Sequence, residues 1–302
     1  MPARPSRVHN RAMGGVLSCK ASARRAGCAL LLVAACAGVA AEPPAEVSFP
    51  SADGRTWLRG YLFMPQTPPP WPAVVMLHGR SGPYSTAAKG VYDATTLSRR
   101  HVQWGRFWAN RGYLALHVDS FSSRGYPAGF PIRSYSSRPP EVSEQKVRPL
   151  DAYGAAAYLR SRDDVSAQRI GFHGWSNGAM AGLATMGALP HSAAGALQEG
   201  FQAALLFYPG CRIQAKQDYR PYAPALMFVA SEDEEVAPLP CRLLAEQIKS
   251  RGIDHFEMVW YAGATHAFDD PGKRRQSIEA NRAARGDAME RAAEYFDRHL
   301  RR

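Results

Sequence analysis

Residues 170–183, "IGFHGWSNGAMAGL", set Ser176 between Gly174 and Gly178, directly after an apolar run and before small helix-forming residues. A Gly-x-Ser-x-Gly match is weak by itself. After a strand and before a helix it describes a sharp turn that lifts a serine hydroxyl out of a sheet, with glycines removing side chains that would clash in the bend. A serine hydroxyl is a poor nucleophile near neutral pH and needs a base, itself oriented by an acid. In a hydrolase built this way the acid and then the histidine follow the serine along the chain. Downstream, "ALMFVA" runs into Ser231-Glu232-Asp233-Glu234-Glu235, and "FEMVWYAGAT" runs into His266. Asp233 is the first choice for the acid, a few residues past its strand. Glu235 remains open, because charge alone does not separate adjacent acids. His78 and His173 lie in or at the ends of apolar strands, where packing or loop orientation is expected, and His117 lies in mid-strand. His101, His191, His255 and His299 lie in polar or helical surroundings. The helix that starts after Ser176 points free N–H groups at a developing oxyanion. A second donor is expected after an early strand, in the loop His78-Gly79-Arg80-Ser81-Gly82. The backbone N–H groups of Arg80 and Asn177 are therefore the expected oxyanion pair.

These residues need strands that end at one edge, and the chain supplies them. "EVSFPSADGRTWLRGYLFMP" reads as a hairpin around Asp53-Gly54, and "QTPPPWP" as a stiff connector. Apolar strand runs then alternate with helical stretches: "PAVVMLHG", "YLALHVDSF", "RIGFHGW", "FQAALLFYPG", "APALMFVASE" and "FEMVWYAGATH" are the strands. "HVQWGRFWANRG", a stretch starting near Pro149, "NGAMAGLATMG", "LPCRLLAEQIKSRG" and the C-terminal "SIEANRAARGDAMERAAEYFDRHLRR" are the helices. Strands apolar on both faces and alternating with helices imply an α/β fold with a mostly parallel sheet covered on both sides. Residues 122–140, "SSRGYPAGFPIRSYSSRPP", break the alternation as a long loop after a strand end, at the edge where α/β proteins bind ligands.

The first 41 residues carry six Lys or Arg and no acid, and an apolar stretch ending in small residues follows Arg24 and Arg25. This is the anatomy of a secretory signal, with Met13 an alternative start, and the stretch is too short to span a bilayer comfortably. The expected organisation is a signal peptide over 1–41 and one catalytic domain over 42–302. Cleavage near Gly38-Val39-Ala40-Ala41 would release a soluble periplasmic or secreted protein. Val33-Ala34-Ala35-Cys36 also fits a lipobox, and the alternative is a lipoprotein anchored through Cys36. Removing the six positives from the formal +11 leaves +5, spread through the body, so charge does not suggest nucleic-acid binding. Only Cys211 and Cys241 lie in the body. A lone pair in an exported domain predicts one disulfide, two free buried thiols being the alternative.

The segments "LHGRSG", "VDSFSSRG", "RPLDAYGAAAYL", "RIGFHGWSNG", "LFYPGC", "SEDEEV" and "ATHAF" occur in that order from about residue 72 to 270. In them the chain resembles the α/β-hydrolase superfamily, and more narrowly the dienelactone hydrolase family, especially its exported members with a serine nucleophile. The resemblance implies the α/β-hydrolase fold and a Ser176, Asp233, His266 triad. Founding members carry cysteine where this chain has Ser176 and open a lactone whose carboxylate is held by arginines. Those arginines do not map securely here. Arg124, in the family-like stretch after a strand end, is a candidate substrate or loop anchor, with a structural ion pair as an equal alternative. The resemblance also places Cys211 and Cys241 near the active-site edge.

The expected activity is a serine hydrolase cleaving a carboxylic ester or lactone through an acyl-enzyme. No metal-ligand spacing or phosphate-binding glycine loop is present in the sequence, and neither metal nor cofactor is expected. A peptidase of the prolyl-oligopeptidase type shares fold and triad order but usually needs a further domain. A noncatalytic binding protein on the same fold is the alternative from another class.

Overall fold

The computed structural model describes residues 42–187 and 200–301; the expected signal, its cleavage positions and Cys36 lie outside them. The chain opens with β1 (Ala45–Pro50) and β2 (Trp57–Phe63), paired antiparallel. Asp53 builds their turn: its Oδ1 accepts the N–H groups of Arg55 at 3.0 Å and Thr56 at 2.8 Å, and Gly54 takes a left-handed φ of 75°. The apolar runs form β3 (Trp71–Leu77), β4 (Leu114–Asp119), β5 (Val165–Trp175), β6 (Ala203–Phe207), β7 (Ala225–Ala230) and β8 (Phe256–Tyr261). One eight-stranded sheet results, in the order β1-β2-β4-β3-β5-β6-β7-β8. β3 to β8 pair in parallel, while β2 joins β4 antiparallel and hangs the hairpin on the sheet.

Helices cover both faces. α2 (Arg148–Arg160), α3 (Asn177–Gly187) and α4 (Leu239–Ser250) bury Leu159, Leu183 and Leu244 against Val75, Leu116, Phe172 and Leu206. α1 (Arg99–Asn110) and α6 (Glu279–Leu300) bury Trp104, Trp108, Tyr295 and Phe296 against Val74, Trp175 and Phe207 on the other face. α2 starts at Arg148 with Pro149 just inside its first turn, where a missing N–H removes no helical bond. A short helix, α5 (Lys273–Gln276), precedes α6. The loop 122–140 contains two 3-10 turns, Ser122–Arg124 and Tyr135–Ser137. Because β3 to β8 are parallel, their C-terminal ends lie along one edge, and the loops carrying Arg80, Ser176, Asp233 and His266 all leave from it.

Candidate active site

Ser176 sits between β5 and α3 with φ 50°, a left-handed conformation that L residues rarely adopt. The two glycines around it answer to close backbone approach. A Cβ on Gly174 would lie 2.5 Å from the Gly178 carbonyl oxygen, and one on Gly178 would fall onto the Leu77 carbonyl oxygen. The turn is held from both sides: Ser176 N–H donates to Phe207 O at 2.8 Å, and Met180 N–H donates to Ser176 O at 2.8 Å.

His266, beyond β8, places Nε2 3.0 Å from Ser176 Oγ and Nδ1 2.7 Å from Asp233 Oδ2. Asp233 is fixed by its own turn, since Oδ1 accepts the N–H groups of Glu235 and Val236, each at 2.9 Å. Asp233 meets Nδ1, whereas Glu235 lies on the serine side, 3.6 Å from Nε2, and accepts both Arg80 Nε at 2.8 Å and Arg80 Nη2 at 2.9 Å. Burial would raise the Glu235 carboxyl, but the Arg80 guanidinium and His266 hold it below the ordinary range. Glu234 accepts the His266 N–H at 2.9 Å and pairs with Arg275 at 2.6 Å, anchoring the histidine loop.

The Arg80 loop abuts the serine: a Cβ on Gly79 would stand 3.5 Å from Ser176 Cβ. Among the described residues the backbone N–H groups of Arg80 and Asn177 have no intramolecular acceptor.

Arg124 is not brought into this group. Its guanidinium donates to Asp151 at 2.9 and 2.8 Å, to Ser120 O at 2.7 Å and to Asp53 at 3.3 Å, and Ser51 Oγ donates to the same Asp151 at 2.8 Å. Of the readings open for Arg124, these bonds are those of the ion pair, which ties the hairpin to α2. Cys211 and Cys241 form a disulfide.

Two buried residues missed in the sequence hold the site together. Arg148 donates from Nη1 to Asn177 Oδ1 at 2.6 Å and from Nη2 to His78 O at 2.8 Å, linking the residue after Ser176 to the loop carrying Arg80. Burial lowers its pKa to about 10, with Asp151 and Glu144 opposing. Asp269 accepts Trp104 Nε1 at 2.8 Å, Trp175 Nε1 at 2.9 Å and the Tyr208 hydroxyl at 2.6 Å. It thus joins the histidine loop to the residue before Ser176. Tyr208, at φ 40°, packs its ring 4.8 Å from His266, and Ala267 has φ 56°. Strained backbone therefore gathers around the histidine and the serine, as at sites where the surrounding structure over-determines a geometry.

An eight-stranded, mostly parallel sheet with this serine turn and these strand-end loops defines an α/β-hydrolase fold. The profile of the dienelactone hydrolase family matches residues 58–300, and the chain belongs to that family. Among the solved structures that share the fold are the following two. One is the dienelactone hydrolase-like promiscuous phosphotriesterase P91 from metagenomic libraries, at 16% identity and TM-score 0.61, with 86% of this chain and 100% of that one covered. The other is Thermogutta terrifontis esterase 2 phosphorylated by paraoxon, at 20% identity and TM-score 0.58, with 85% and 95% covered. No curated protein matches the chain in sequence.

Proposed function

We propose that the protein is a carboxylic ester hydrolase that acts through a serine acyl-enzyme. The observation that carries this reading is His266, whose two ring nitrogens reach Ser176 Oγ at 3.0 Å and Asp233 at 2.7 Å. Ser176 Oγ attacks the ester or lactone carbonyl while His266 Nε2 takes its proton. Asp233 keeps the other ring nitrogen protonated and offsets the imidazolium charge. The oxyanion is received by the N–H groups of Asn177, at the positive end of α3, and Arg80. His266 returns the proton to the leaving alcohol, the acyl group stays on Ser176, and water repeats the cycle.

The protein is further proposed to be exported by its first 41 residues, with a soluble mature form. The Cys211–Cys241 disulfide supports an oxidising compartment. Among the described residues no helix is long and apolar enough to cross a membrane. Hydrolysis of p-nitrophenyl butyrate by wild type and Ser176→Ala tests the activity. Wild type turns the ester over and Ser176→Ala falls to background; equal rates remove Ser176 as nucleophile.

A further inference from the structure

A cavity of about 310 Å³ opens beside the triad, between Tyr135 of the 122–140 loop, Met180 of α3, the Gly210–Ile213 segment after β6, and Val236 and Pro240 before and within α4. Two residues of its wall adjoin the reacting groups. Met180 lies one turn after Ser176, and Glu235, also in the wall, is 3.6 Å from His266 Nε2. Gly210 keeps the space open: a Cβ there would stand 3.5 Å from Met180 Sδ and 3.6 Å from Val236 Cγ1. Tyr135 is held in place, its hydroxyl 3.5 Å from Met180 Sδ and the Arg138 guanidinium 3.9 Å over its ring.

Charge and size narrow the occupant. The carboxylate of Glu235 is taken up by Arg80, and Arg212, exposed at the rim, can keep its guanidinium in water along its apolar stem. The remaining wall is thioether, aromatic ring, aliphatic side chains and disulfide. Ile213 stands at the rim, 41% exposed. An apolar cavity of about 150 Å³ takes a benzene ring, so this one takes a ring or chain of about six to ten non-hydrogen atoms. Cys211 belongs to the wall itself and Cys241 follows Pro240, so the disulfide pins the two sides of the cavity to each other.

We infer that this cavity binds an uncharged, apolar substituent of the ester, of phenyl to hexyl size, and that the Cys211–Cys241 disulfide fixes the wall that selects it. The inference rests on the ester-hydrolase reading. It is tested by kcat/KM along two series, p-nitrophenyl acetate to hexanoate and benzoate for the acyl side, and methyl to hexyl and benzyl acetate for the alcohol side. Wild type gains about fourfold per buried methylene in the series whose substituent enters the cavity. Ile213→Trp, a change at an exposed position that the fold tolerates, and Gly210→Val, which fills the interior, each lower the hexyl-to-short selectivity ratio of that series at least threefold. A Cys211→Ala/Cys241→Ala double variant that remains folded lowers it at least threefold as well. Ratios that fall less than threefold in both series for Ile213→Trp and Gly210→Val overturn the subsite; the same result for the folded double variant overturns the role of the disulfide. Failure of the underlying reading looks different: wild type then hydrolyses no ester, or Ser176→Ala matches it.

Discussion

The two faces of the central sheet are built from different chemistry. Under α2, α3 and α4 the strands present Val75, Leu77, Leu116, Val118, Ile170, Phe172 and Leu206, an aliphatic and aromatic surface held by burial. Under α1 and α6 the rows are also apolar, with Val74, Leu205 and Phe207 among them, but buried histidines interrupt them. His117 and His173 both pair in register with Met76 of β3, and His78 sits just beyond that strand. Trp104 and Trp108 pack on His173 and Trp175 on His117, and Tyr208 and Arg100 meet the Asp269 that holds Trp104 and Trp175. Apolar burial is non-directional and tolerates rearrangement, whereas hydrogen bonds from indole and hydroxyl groups to a buried carboxylate fix position. The face with the buried histidines is the one joined through Trp175 and Asp269 to both the serine turn and the histidine loop. Stability and positioning are therefore divided between the faces, and substitutions separate the two.

The largest effect is expected at the triad. Asp233→Asn leaves the fold intact but presents the wrong partner to His266 Nδ1, and kcat falls by about 10⁴-fold. Glu235→Gln, on the Nε2 side, falls by tenfold or less; steady-state kinetics on p-nitrophenyl butyrate compares them. On the aliphatic face, Leu206→Ala empties a fully buried site. Urea denaturation shows it destabilised by about 2–5 kcal/mol, with kcat of the folded fraction within about threefold of wild type.

Arg148→Met reverses that pattern. It removes the link between Asn177 and His78, so kcat falls by about 100-fold in protein whose near-UV circular dichroism is native, while Arg148→Lys recovers part of the loss.

The smallest effect separates the faces by pH. Burial holds His78, His101 and His173 well below 6.5 and, with Arg100 and Arg148 nearby, takes His117 to about 3. Above about pH 6.5 these rings are neutral folded or unfolded and stability does not change through them. Below it the unfolded chain takes up protons that the folded chain refuses, so stability falls, by about 1.4 kcal/mol for each ring at pH 5.5. Among the described residues neither ring nitrogen of His117 has a hydrogen-bond partner. His117→Phe should therefore lose less Tm between pH 7.5 and 5.5 than wild type, as read by differential scanning calorimetry.

What the sequence showed and what it concealed follow from the range of the interactions. The sheet and the serine turn were legible because apolar runs and Gly174, Ser176 and Gly178 are local signals of a local geometry. His266 was legible from its place after a strand. Asp233 and Glu235 stay alike in sequence because what distinguishes their positions is a contact across 33 residues, Asp233 Oδ2 on His266 Nδ1. For Arg124 the sequence leaves anchor and structural ion pair both open, because its partner Asp151 lies 27 residues away on a helix. Arg148 and Asp269 gave no local sign: Asp269 meets Trp104 across 165 residues, and nothing in "HAFDDP" marks which aspartate is buried.

The central claim is that Ser176 carries the acyl group. An organophosphate leaves a stable adduct where an ester leaves a transient one, so intact-mass and peptide-mass measurement after treatment with diethyl p-nitrophenyl phosphate tests it most directly. The account predicts one diethylphosphoryl group per chain, on the peptide containing Ser176, and none on Ser176→Ala. An unlabelled wild type in a preparation that hydrolyses p-nitrophenyl butyrate, or equal labelling of Ser176→Ala, would contradict it.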